Sequence, residues 1–166
     1  MTLPDGDALR RAYEKYKGVM VSVAAGMTGD ISTAEDIMQE AFVAFARRAA
    51  EGAVCQNLKS YLMTCVMNGV RYRFRKMSRH EELVATMELL PAQRLGILDR
   101  VVISEDIERL HVAMGQLAEE VREVIVLRIH GQMRFDQIAA VQGSNANTAR
   151  TRYRRGIERL RELLNE

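Results

Sequence analysis

Apolar residues recur along this chain at three- and four-residue intervals, the spacing of amphipathic helices, and show no alternation of the kind a half-buried strand needs. The pattern predicts a first helix over about residues 7–26, closing near Gly26 or Gly29. A second begins after Ser32, where Ser32 and Glu35 stand at capping-box spacing. Its apolar stripe is Ala34, Ile37, Met38, Ala41, Phe42, Phe45 and Ala46, running to Ala50 before Gly52. A third helix is predicted from Leu58 to Met77. Residues 78–104 break the periodicity and contain Pro91 and Gly96, the mark of a linker, although Glu81–Leu90 can carry a helical turn or two.

The pattern resumes at Glu105. Ile107, Leu110, Val112, Met114 and Leu117 predict one helix; Val121, Val124, Ile125, Leu127 and Arg128 predict another, with Gly131 as its C-cap. A short helix over Phe135–Val141 turns Ile138 and Ala139 inward. Gly143 follows, then Ser144 and Asn145 as candidate caps of a long last helix reaching Leu164. Short helix, glycine turn and capped helix make a helix-turn-helix signature, in which the turn asks Gly143 for a positive φ.

Composition narrows this to an all-α protein. A chain of 166 residues that is 48% hydrophobic and 28% charged is too apolar for disorder, and two prolines, no Trp and 5% aromatics argue against a β-sandwich. No apolar run is long enough to span a bilayer, and the charged stretch Met1–Tyr13 lacks the apolar core of an export signal. Cys55 and Cys65 cannot build a disulfide framework; their apolar surroundings predict reduced core thiols in a cytoplasmic protein. The expected architecture is two small helical domains, residues 1–77 and 105–166, joined by a flexible linker over 78–104. That linker has no long apolar run to lock the domains together, so they are expected to move independently.

The net charge of +2 conceals a strong pattern. Residues 59–80 carry six bases and no acid, residues 81–123 four bases and ten acids, and residues 124–166 eight bases and four acids. Two basic blocks separated by an acidic one suit two contacts with one polyanion. On the last helix Ala149, Tyr153, Ile157, Leu160 and Leu164 form the core stripe, which turns Asn147, Thr151 and Arg154 outward, flanked by Arg150 and Arg155. Arg, Asn and Thr are the side chains that read base edges in a major groove. On the third helix Tyr61, Thr64, Asn68, Arg71 and Arg75 share a sector, in which bases suit phosphates while Tyr and Asn suit unstacked bases. The alternative for these aromatics is core packing, and Phe74 is assigned to it.

On the second helix Asp36, Gln39, Glu40 and Val43 face away from the apolar stripe. A docking surface for a basic partner fits them better than a catalytic or metal site, since no His lies nearby in sequence. His80, His111 and His130 have no ligand spacing with Cys55 or Cys65, so no zinc site, cofactor or catalytic residue is expected. The ten methionines are read as packing.

These residues resemble a known family. The run Ala34-Glu35-Asp36-Ile37-Met38-Gln39-Glu40-Ala41-Phe42 is similar to a segment of bacterial RNA polymerase sigma factors, and the chain most resembles their extracytoplasmic-function (ECF) group, which keeps only regions 2 and 4. Lys59, Tyr61, Leu62 and Asn68 through Arg75 resemble the end of region 2; Arg122–Arg128, Phe135–Ala139, Gly143–Thr148, Arg152 and Leu160-Arg161 resemble region 4. The chain departs at Tyr61, Thr64, Arg134 and Ala149, where Trp, Arg, Ser or Thr, and Val are frequent. The resemblance implies a subunit of core RNA polymerase that directs promoter-specific transcription initiation. Asp36, Gln39, Glu40 and Val43 would dock on the β′ coiled coil, with further contact to the β subunit. Lys59, Tyr61, Thr64, Asn68, Arg71 and Arg75 would open and read the −10 element of promoter DNA; Asn147, Thr148, Arg150, Thr151, Arg154 and Arg155 would read the −35 element. An anti-sigma factor is the expected regulator. The competing reading is a dimeric helix-turn-helix repressor or activator, which needs neither the second-helix face nor a second basic block.

Overall fold

The computed structural model describes residues 6–52, 55–86 and 105–165, with backbone alone over 81–86. Among them are seven helices: α1 (Gly6–Thr28), α2 (Ile31–Ala50), α3 (Leu58–Thr86), α4 (Glu105–Gly115), α5 (Glu119–Ile129), α6 (Phe135–Gln142) and α7 (Ala146–Asn165). The all-α expectation holds. The third helix runs nine residues past its expected end at Met77, and the rest of the predicted linker, 87–104, lies outside the described residues.

Helix α2 buries Ala34, Ile37, Met38, Ala41, Phe45 and Ala49, close to the stripe read from its periodicity. Its cap differs from the expected Ser32: the helix starts at Ile31, and the Asp30 carboxylate accepts from the Thr33 backbone N–H at 2.8 Å. Asp30 lies three residues before that N–H, the reach an N-cap side chain requires. Hydrogen bonding by Thr33 holds the Asp30 carboxyl below the ordinary carboxylate range. Its contribution is therefore complete above the unfolded pKa of about 3.9 and is lost as pH falls through the lower folded value. Asp30→Ala is expected to cost about 1 kcal/mol in thermal unfolding at neutral pH. The gap to the parent protein should narrow in acid; a gap independent of pH would assign the cap elsewhere.

Helices α1, α2 and α3 form one three-helix unit, and α4 to α7 a second, but their interiors are not separate. Met20, Val23, Ala24 and Met27 of α1 and Leu62, Met63, Val66, Met67 and Val70 of α3 share one apolar core with Val124, Val126 and Leu127 of α5, Met133, and Ile138, Ala139 and Val141 of α6. The two expected domains thus pack against each other in this structure instead of standing apart. The cause lies in α5, where Glu123, Val124, Ile125, Val126 and Leu127 are all buried. A helix apolar around its circumference needs a neighbour on every side: Ile125 packs with Leu160 and Gly156 of α7, Val126 lies against Gly26 of α1, Glu123 meets Arg71 of α3, and Val124 and Leu127 lie in the shared core. Each large side chain so enclosed contributes about 1.5–3 kcal/mol.

Three smaller expectations change. In α4, Ala113 is buried and Leu117 just beyond its end is too, whereas Ile107, Leu110 and Val112 are exposed. Gly131 is not a left-handed cap: α5 closes at His130, and the positive φ falls on Gln132 at 50°. Gly131 is required for space, since a Cβ there would stand 2.5 Å from the Leu127 carbonyl oxygen. Cys55 is exposed where a core thiol was expected, while Cys65 is half-buried and burial pushes its thiol pKa up.

Candidate nucleic-acid interface

The helix-turn-helix forms as the spacing predicts. Helix α6 ends at Gly143 with φ 62° and ψ 36°, and the Gly143 N–H bonds to the Ala139 carbonyl. Asn145, not Ser144, caps α7: its side-chain oxygen accepts from the Thr148 N–H at 2.9 Å. At the start of α6, Arg134 stands where a short hydroxyl side chain is usual and cannot accept from the helix. Gln137 supplies the opposite half of a capping box by accepting from the Arg134 N–H at 3.0 Å. The Arg134 guanidinium turns to Asp136 at 2.9 Å and holds that carboxyl below its usual range.

Along α7, Ala149, Gly156 and Leu160 are buried, and Tyr153, Ile157 and Leu164 pack partly against the core. That fixes the helix rotation. Asn147, Arg150, Arg154 and Arg155 are exposed, and Thr148 and Thr151 half-buried beside them. All six predicted residues therefore lie on or beside the free face of one helix, within its first three turns. Arg152 is the exception among the arginines of this segment. It is half-buried, and its Nη1 donates to Gln142 at 3.0 Å.

The six residues predicted on α3 are less uniform. Arg75 and Asn68 are exposed. Tyr61 packs partly into the core, its ring 6.1 Å from that of Phe45, and burial pushes its hydroxyl pKa up. Thr64 donates to the Ser60 carbonyl at 2.8 Å, and Lys59 reaches the Gln132 carbonyl at 3.5 Å. Arg71 is engaged. Its Nε and Nη2 donate to the two carboxylate oxygens of Glu123 at 2.6 and 2.7 Å, and this carboxylate keeps the guanidinium pKa raised. Glu123, 1% exposed, also accepts from Gln142 Nε2 at 3.0 Å. A chain of polar contacts therefore runs Arg71–Glu123–Gln142–Arg152, from α3 through α5 and α6 to α7. Around it the Arg122 guanidinium lies 5.6 Å from the Phe74 ring, Ser22 bonds His130 at 3.0 Å, and Gly26 sits against Val126. Phe74 packs partly against the core, as the sequence indicated.

On α2, Asp36, Gln39 and Glu40 are exposed, and Val43 is 50% exposed, an apolar side chain with no cover. Glu40 makes a loose pair with Arg73 at 3.3 Å, of a kind worth little in solvent. Among the described residues no three metal-ligating side chains cluster, and no helix is long and apolar enough to cross a membrane.

Sequence reasoning missed Glu123, Gln142 and Arg152. A lone acid inside the run Arg122-Glu123-Val124-Ile125-Val126-Leu127 was the available signal, because a buried carboxylate demands a cationic partner.

Comparison with known proteins places the molecule. Sigma-70 region 2 matches residues 12–80, and Sigma-70 region 4 matches residues 107–160. The chain belongs to the sigma-70 family of RNA polymerase sigma factors, in its ECF group, whose members bind the polymerase and direct transcription initiation. It is 32% identical over 139 residues to an RNA polymerase sigma-E factor of Streptomyces antibioticus, covering 84% of this chain and 74% of that one. It is 29% identical over 162 residues to the RNA polymerase sigma factor CarQ of Myxococcus xanthus, covering 96% and 91%. Its fold is similar to that of the sigma factor RpoE in complex with the anti-sigma factor NepR from Bartonella quintana, with a TM-score of 0.76 over 94% of this chain and 96% of that one, at 22% identity. The family replaces the alternative of a dimeric regulator acting without polymerase.

Proposed function

We propose that the three surfaces divide the work of initiation. The exposed face of α7, with Asn147, Thr148, Arg150, Thr151, Arg154 and Arg155, reads the −35 element in the major groove. The basic face of α3, with Lys59, Tyr61, Thr64, Asn68, Arg71 and Arg75, engages the −10 element. Asp36, Gln39, Glu40 and Val43 of α2 dock on the β′ coiled coil of the polymerase, with the β subunit as a further contact. The chain acts in the cytoplasm without catalytic residues or cofactor of its own, using phosphate and base contacts, and residues 1–77 and 105–166 serve as its promoter-binding halves.

The observation that carries this reading is the rotation of α7. Burial of Ala149, Gly156 and Leu160 turns its arginine-rich face away from the core. The −10 assignment adds a condition. While its Nε and Nη2 donate to Glu123, Arg71 has only Nη1, which bonds Asn68 at 3.4 Å, to offer to DNA, so on this reading the closed arrangement is a waiting form and α3 parts from α5 before promoter opening. An anti-sigma factor that gripped both halves would hold that form. RpoE in the similar structure is in complex with an anti-sigma factor, NepR.

The docking surface has its own test. Asp36→Lys with Glu40→Lys reverses two exposed charges, so helical content should stay nearly unchanged. Co-elution with core polymerase should weaken at least tenfold, about 1.4 kcal/mol. Unaltered co-elution would remove α2 from the interface.

A further inference from the structure

Phe135 opens α6 and is half-buried. Its ring meets the Tyr153 ring edge-on at 5.6 Å, which ties α6 to the side of α7 facing the core. The same ring carries two guanidiniums from different helices. Arg128, from the last turn of α5, lies 4.9 Å from its centroid, and Arg150, from the first turns of α7, lies 5.6 Å away. Arg128 is fixed further by donating from Nη1 to the Met133 carbonyl at 2.7 Å. Among the described residues neither arginine has a carboxylate within ion-pair reach.

Two like charges gathered at one side chain repel, and an aliphatic residue at 135 would offer them nothing but contact. The negative face of an aromatic ring attracts both. It also limits where a long, rotamer-rich arginine can point, which lowers the entropy lost when that arginine meets a ligand. The Phe135 ring therefore links packing to recognition: one edge holds α7 in place, and its surroundings hold the arginine that α7 presents.

We propose that Phe135 is a positioning residue of the −35 interface: its ring aims Arg150 at a base edge and seats Arg128 beside it as a phosphate contact. Arg128 is thereby added to the DNA-binding set. The proposal rests on the reading of α7 as the −35 helix, and it deepens that reading without repeating it.

The experiment selects −35 sequences from a duplex promoter library with the full chain assembled on core polymerase, at several salt concentrations. Phe135→Leu keeps an apolar side chain and removes the ring; Phe135→Tyr keeps the ring. At the position Arg150 reads, Phe135→Leu should lower base preference about two- to fivefold, the worth of one exposed cation–π contact. Phe135→Tyr should retain the preference. Combined with Arg150→Ala, Phe135→Leu should subtract nothing more at that position. Arg128→Ala, a surface change that spares the core, should weaken all sequences alike and reduce the salt slope by about one. Preference lost evenly across the element, Tyr behaving like Leu, or an unaltered salt slope in Arg128→Ala would overturn the proposal. If Arg150→Ala alone leaves every preference intact, the reading of Arg150 itself fails, a result distinct from the failure of Phe135 to position it.

Discussion

Glu123→Gln is expected to open this molecule. Glutamine keeps the volume and one acceptor for Gln142, but it withdraws the charge that binds Arg71 through two hydrogen bonds of 2.6 and 2.7 Å. Leaving one partner of an enclosed ion pair uncompensated costs about 3–5 kcal/mol. The cost here is smaller, because the Arg71 side chain keeps 26% exposure and can turn to solvent once α3 and α5 separate. The strain is relieved by parting the helices, so small-angle scattering should report a larger radius of gyration for the variant. Initiation in reconstituted transcription should rise when sigma is limiting, because Arg71 starts free. Exchanging the charges, Arg71→Glu with Glu123→Arg, should restore the compact shape without restoring −10 activity. A variant as compact and as active as the parent would mean that the apolar contacts alone hold the closed form.

The second large effect belongs to α7. Arg150 and Arg154 stand one turn apart on the exposed face of α7, while Arg161 lies two turns further from the N-terminus. An arginine that reads a base should, when replaced by Ala, cost about 1–3 kcal/mol and relax preference at one position. Arg150→Ala and Arg154→Ala are expected to behave this way in promoter-library selection. Arg161→Ala, a phosphate contact at most, should weaken all sequences equally and flatten the salt dependence. If all three keep the parent's −35 preference, α7 does not read bases.

What could be read from the sequence, and what could not, follows from how far each interaction reaches along the chain. Helix periodicity, the Gly143 turn and the outward face of α7 are local, set by residues within a few positions of one another, and they appear as expected. The Asp30 cap was equally local, but Ser32 offered a competing signal, and only the helix start at Ile31 separates the two. Partners distant in sequence were hidden. Arg71 and Glu123 lie 52 positions apart, with nothing in either neighbourhood to name the other. The join between the halves did leave a trace, because four consecutive apolar residues, Val124 to Leu127, exceed what a small helix-turn-helix unit can cover. Periodicity placed Val124, Ile125 and Leu127 on a helix and passed over Val126, whereas all four are buried. In α4 the error ran the other way: Ile107, Leu110 and Val112 were spaced for a core that the described residues do not provide.

The shared interior also bears on how long the protein survives between rounds of use. Opened without polymerase, it would bare apolar side chains of the shared core, Val126 at the α1 contact among them, surface of the kind that draws aggregation. Exposed in that way, the chain also becomes easier to cleave, since proteolysis follows the population of opened forms. Closure therefore acts as storage. A stock of the free protein would persist in proportion to how rarely it opens, so substitutions that favour activity by loosening the joint should also shorten its lifetime in the cell.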